Sequence, residues 1–227
     1  MKSHTDVAEH FDAIAHSYDY WKEKNWYYYD ALKRIAGLFS DETQAILDAG
    51  CGTGGIISTL SGRERVGIHI SEEMIEIAKE RHKNEKNLSF FASDILSFHS
   101  DKKFECILFF DVIEHLDQPE EVLMRLRELL STKKGRLVVT MANPLWEPIL
   151  LLGEKLGMKM PEGPHHRLST KKFLELAQKI GLKLEQRDWK LLFPKYMPLF
   201  SYVCNDILIH IPFLKRLAVI EVFVFTR

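Results

Sequence analysis

Cysteine is scarce in this chain and scattered where it occurs. Cys51, Cys106 and Cys204 are the only three in 227 residues. None is paired at the short spacing of a metal site, and so sparse and odd a set excludes a disulfide-stapled scaffold. A reducing compartment is the expectation. Charge of one sign is also lacking, since 31 Lys and Arg face 32 Asp and Glu, for a formal net charge of −1. Nucleic-acid binding needs a basic face, so nucleic acid is not expected as a partner. No hydrophobic run approaches the ~20 residues of a membrane-spanning helix. The opening MKSHTDVAEHF carries charges where a signal peptide needs an apolar core. A cytoplasmic location is therefore expected. Repeats and low-complexity linkers are absent, and 227 residues suit one large domain better than two.

Short apolar, β-rich runs alternate with helical patterns, the signature of βαβ units and a doubly wound, mostly parallel α/β sheet. The runs are 45–48, 65–69, 88–91, 104–110 and 136–140. The fourth is apolar nearly throughout, as suits a strand covered on both faces. Two further strands, 182–187 and 218–225, read as an antiparallel addition at the sheet edge. Ser71 is placed to cap a helix with Glu72 and Glu73 in its first turn and Lys79, Arg81 and Lys83 near its end. Asp117 and Glu120 have capping-box spacing ahead of a stripe of Val122, Leu123, Leu126, Leu129 and Leu130. Ser169 opens another helix and Gly181 closes it.

Residues 1–39 form a helical preface with eight aromatics between Phe11 and Tyr29. Two readings stand: a helix docked on the sheet, or a lid over a ligand. Residues 40–141 read as a cofactor-binding core, and 142–227 as the acceptor side with the last strands. From Trp189 to the end, five bases oppose two acids, a balance of +3 that leaves −4 for the rest.

The strongest motif is Asp48-Ala49-Gly50-Cys51-Gly52-Thr53-Gly54-Gly55, where a strand runs into a glycine-dense turn with a helix expected over 56–60. Glycines allow close backbone approach to a ligand, and open α/β sheets bind ligands beyond the carboxyl ends of their strands. The alternate-position glycines after an acid resemble the class I S-adenosylmethionine-dependent methyltransferases. A dinucleotide fold more often spaces its glycines G-x-G-x-x-G. The resemblance continues through 66–74, Ser93-Asp94-Ile95, Phe110-Asp111-Val112-Ile113-Glu114-His115-Leu116 and 135–139. The fourth-strand motif is similar to that of the ubiquinone-biosynthesis type O-methyltransferases.

The resemblance implies a Rossmann-like methyltransferase fold, a seven-stranded sheet with an antiparallel edge strand, and S-adenosylmethionine as cofactor. In the family the loop cradles the amino-acid part of that cofactor, which assigns Asp48, Gly50, Cys51, Gly52 and Gly54 to it. Asp94 would accept from the adenine amino group, with Ile95 beside the ring. Tyr18, Ile70 and Phe110 complete the cofactor-binding candidates. At position 69 the family usually places a carboxylate that accepts from both ribose hydroxyls, whereas this chain has His69. A neutral imidazole offers one acceptor, so two readings stand: a weakened ribose contact, lost when the ring is protonated near pH 5.5, or a ring that turns away and contributes nothing.

The candidate base is His115, whose ordinary pKa near 6.5 suits proton removal at neutral pH; the alternative is a histidine that only caps the following turn. His165 and His166 are a second, loop-borne pair. Asp111, Glu114 and His115 resemble cation ligands of some quinone O-methyltransferases, but no metal is expected without further ligands. The acceptor side is apolar, both around Leu150, Leu151 and Leu152 and from Phe193 to Leu214. It reads as ordinary packing, as a channel for an apolar or lipid-linked acceptor, or as a surface that rests on a membrane. Two rivals differ in class: a nicotinamide-dependent oxidoreductase and a catalytically inert, cofactor-binding scaffold.

Overall fold

The computed structural model describes residues 4–160 and 168–227, so His165 and His166 lie outside the described residues. Strands β1 (Ala45–Ala49), β2 (Glu64–His69), β3 (Leu88–Ala92), β4 (Cys106–Phe110), β5 (Arg136–Ala142), β6 (Lys183–Lys190) and β7 (Ile220–Thr226) make one sheet. Its order is β3-β2-β1-β4-β5-β7-β6. β1 to β5 pair in parallel, and β7 is antiparallel to both β5 and the edge strand β6. The antiparallel addition expected at this edge is thus β7 inserted inside β6. The strand order reverses between β1 and β4, which opens a crevice at their carboxyl ends.

Alternation along each central strand explains why both faces are covered. In β4, Ile107 and Phe109 join one core, while Cys106, Leu108 and Phe110 join the other. Helices α1 (His4–Lys24) and α2 (Trp26–Phe39) precede the sheet, and α3 (Glu72–Arg81), α4 (Pro119–Leu129), α5 (Glu147–Lys155) and α6 (Thr170–Lys179) lie between strands. α4 and α6 cover the first face, and α2 covers the second with Leu32, Ile35 and Ala36.

Ser71 accepts from Met74 N and Ser169 from Lys172 N, so both expected caps form. Two local expectations are corrected. The helix expected over 56–60 is a single 3-10 turn, Ile57–Thr59. The capping box of Asp117 and Glu120 does not form, because Gln118 holds the N-cap and makes no side-chain cap bond. Pro119 starts the helix there with its φ already set.

Phe173 anchors α6 to the sheet. It is fully buried, edge-on to Phe223 at 5.0 Å and to Phe225 at 5.6 Å between ring centroids. Phe173→Ala should lower stability by about 3–5 kcal/mol, through lost transfer energy and the cavity left behind. Urea unfolding checks this; a loss under about 1 kcal/mol would mean that the site collapses to fill the gap.

Candidate functional site

Beyond β1 the chain turns back on itself, and Gly50 N and Cys51 N both donate to Ile68 O, at 2.8 and 3.0 Å. Gly50 holds φ at +96°, and a Cβ there would lie 2.4 Å from Cγ2 of Val112. Only glycine fits. Gly52, at φ +54°, is different in kind: a Cβ would meet the Tyr18 ring at 2.9 Å. The space left by Gly52 is therefore taken by a side chain of α1.

A cavity of about 890 Å³ opens at this sheet edge. It brings together Tyr18, Asp48, Gly50, Cys51, His69, Ile70, Asp94, Ile95, Phe110 and His115. Gly52 and Gly54 stand behind its wall rather than in it. Gly54 packs toward Phe90, which a Cβ would meet at 2.6 Å.

Asp48 is buried, and its Oδ2 has no hydrogen-bond partner. Burial pushes its pKa up to about 7, against the opposing field of Lys22. Lys22 reaches in from α1 and rests its ammonium over the rings of Tyr18, at 4.3 Å, and Tyr29, at 5.2 Å. An unpartnered carboxylate oxygen beside aromatic faces that already carry a cation is a seat for positive charge. The residues present thus fit the ammonium end of S-adenosylmethionine.

His69 does not offer the acceptor expected of it. Its Nδ1 accepts from Ser71 N at 3.2 Å, so in the neutral ring the proton sits on Nε2, a donor. Burial, with Lys22 adding to it, pushes the pKa down to about 4. The ring stays neutral at pH 5.5, and the expected loss at that pH is withdrawn. Asp94 Oδ1 accepts from Leu96 N at 2.8 Å, which fixes the turn after β3.

Asp111 ends β4 with φ at +54°. Its Oδ2 accepts from Tyr28 Oη and its Oδ1 from Thr140 Oγ1, both at 2.8 Å. Burial, then the Asp111 charge, raises the Tyr28 pKa well above its ordinary value, so the phenol stays protonated. Among the described residues no group of three or more His, Cys, Asp or Glu could hold a metal ion.

The aromatic preface divides between two helices. α2 docks on the sheet, the first of the two readings, and α1 borders the cavity. Asp12 accepts from Ser71 Oγ and Glu73 N at the start of α3. Asp19 accepts from Thr53 Oγ1 at 2.7 Å and pairs with Arg81. Phe11 stands edge-on to His69 and His115. The residue-by-residue reading missed Asp12, Asp19 and Lys22. The available signal was their spacing, because Phe11, Tyr18 and Lys22 at i, i+7 and i+11 share one helix face.

A family model described as a methyltransferase domain matches residues 20–187. The mitochondrial ubiquinone biosynthesis O-methyltransferase of Saccharomyces cerevisiae is 30% identical over 132 residues, covering 54% of this chain and 42% of that protein. The malonyl-[acyl-carrier protein] O-methyltransferase of Halalkalibacterium halodurans is 27% identical, covering 67% and 62%. The chain thus spans about half the length of these curated relatives. The structure of a magnesium protoporphyrin IX methyltransferase from Synechocystis superposes with a TM-score of 0.67 at 16% identity, covering 98% of each chain. That likeness is one of fold.

Two outcomes are expected of this site. A cation binding at Asp48 favours the carboxylate, whereas the empty site holds the proton below about pH 7. Binding of S-adenosylmethionine at pH 6 should therefore release about one proton and tighten as pH rises through 7, levelling off above it. Calorimetry in buffers of different ionisation enthalpy measures the release, which Asp48→Asn should abolish. Proton release that persists in this variant would assign it elsewhere. For α1, replacing Asp12 and Asp19 together by Ala should speed cofactor dissociation by about tenfold, as two partly exposed contacts are lost. Stopped-flow dissociation unchanged from the native chain would mean that α1 does not gate the site.

Proposed function

The chain belongs to the methyltransferase-domain family, and from that premise we propose that it transfers a methyl group from S-adenosylmethionine to an oxygen of an apolar small-molecule or lipid-like acceptor. The observation that carries this is the make-up of the cavity wall, which combines the cation seat at Asp48 with Ile149, Leu150, Met160 and Phe193 from the chain's second half, beside Glu147, Glu154 and Lys159. We read residues 1–39 as cap, 40–141 as cofactor core and 142–227 as acceptor side. The similarity to two proteins named as O-methyltransferases supports oxygen as the acceptor atom.

S-adenosylmethionine supplies a methyl group on a sulfonium, already activated for in-line displacement. The chain's task is to bind, orient and remove a proton. The Asp48 carboxylate would hold the ammonium of the cofactor. His69 would give its Nε2–H to a ribose oxygen, the reverse of the bond that a carboxylate makes. Asp94 would accept from the adenine amino group, with Ile95 lining the ring. Tyr18 and Phe11, held down by α1, exclude water from the reacting centre. His115 takes the proton from the acceptor hydroxyl, and the apolar wall beyond it holds the rest of the acceptor.

The test is transfer of labelled methyl to a panel of hydroxylated acceptors graded from sugars to alkylated phenols. Rates should rise with acceptor apolarity. His115→Ala should lower kcat by about 10²–10⁴-fold, the usual contribution of a general base, with cofactor affinity held. Transfer to no member of the panel would favour the inert scaffold. Full activity in the variant would move the base elsewhere.

A further inference from the structure

Most of the large exposed apolar side chains lie in two stretches, 145–158 and 196–217. Between β6 and β7, Leu199 is 77% exposed and Phe213 70%. Helix α5 buries none of its residues, and Ile149 and Leu152 on it are 56% exposed. The two groups adjoin. Trp146 Nε1 donates to Leu217 O at 2.6 Å, and Lys24 Nζ donates to Gly157 O at 2.7 Å. The Trp26 ring lies 5.3 Å from that of Tyr196. Trp146, Ile149, Phe193 and Lys195 from these same segments also line the cavity. The apolar surface is therefore a rim around the acceptor side of the cavity, and contiguous exposed patches of this kind mark contact sites.

Charge and shape select the occupant. Over the whole rim, Lys24, Lys155, Lys159, Lys195, Lys215 and Arg216 face Glu147, Glu154 and Asp206, and Lys215 is paired with Asp188. Exposed Leu, Phe, Tyr and Trp with a small excess of bases among them match the interfacial layer of an anionic bilayer. The apolar tips stand on short helical turns, Leu199 on a backbone with φ at +63°. Fluid lipid accommodates such tips. Among the described residues no helix is long and apolar enough to cross a membrane, so the contact is with the surface layer.

We propose that this rim rests in the interface of an anionic lipid bilayer, so that the acceptor enters the cavity from the membrane side. The docking deepens the apolar-acceptor reading and rests on it for its purpose. The full chain is sedimented with vesicles of equal parts phosphatidylglycerol and phosphatidylcholine, and with phosphatidylcholine alone. It should bind the mixed vesicles and bind phosphatidylcholine more weakly. Leu199→Asp with Phe213→Asp should cut binding by at least about tenfold, since two apolar side chains that would enter the lipid are replaced by charges. Affinity for S-adenosylhomocysteine should stay unchanged, which shows that the variant is folded. A native chain that stays in the supernatant overturns the proposal, as does a variant that sediments like the native chain. So does a concentration-dependent dimer that the variant dissolves, which would make a second copy the occupant. A chain that binds vesicles but methylates no apolar acceptor keeps the docking and sinks the acceptor reading.

Discussion

Removing a carboxyl group from water without a partner is costly, and Asp48 sits in that position at the centre of the sheet. Its raised pKa places the penalty on the alkaline side. The neutral group is tolerated below about pH 4, and stability is lost as pH rises through 7. Above that pH the ionised form costs the fold on the order of 4 kcal/mol. β1 lies between β2 and β4 with all five of its residues buried, so the sheet itself offers no water to relieve the charge. Relief comes from a cation, and the ammonium of Lys22 on α1 supplies the opposing field. That attraction ties α1 to the end of β1.

α1 crosses the open crevice and is fastened at two points, the cap of α3 and the threonine of the glycine loop. Burial beneath it also acts on His69. Desolvation holds that ring neutral, and its Nδ1 is already committed to Ser71 N. His69 is an oriented donor because the bend between β2 and α3 leaves it no other tautomer.

Features whose cause is local were legible in the sequence. Apolar alternation placed the central strands, Ser71 and Ser169 capped their helices, and the glycine spacing marked the loop at the crevice. Features decided by competition or distance were not. Pro119 displaced the capping box that Asp117 and Glu120 suggested, since a fixed φ outweighed a side-chain bond. The contact between Gly52 and Tyr18 was not legible, because Tyr18 lies 34 residues upstream and meets the loop only once α1 has folded over it. The donor at His69 was misread because its tautomer is set by a backbone N–H two residues on, which turns toward the ring only in the bend.

Asp111 carries the last step. A non-glycine residue at positive φ is strained, and strain of this kind persists only where the surroundings over-determine it. Here Thr140 and Tyr28 hold one carboxylate oxygen each, and Asp111 N donates to Thr140 O and Oγ1 at 3.2 Å. Those bonds link β4 to β5 and to α2, and they fix the direction in which the chain leaves the strand. Val112 then falls against Gly50, and the 3-10 turn Ile113–His115 delivers His115 to the cavity wall. The acid of the fourth-strand motif thus acts as a positioning residue. It seats the turn that presents the candidate base, and through Val112 the same turn requires that residue 50 be glycine.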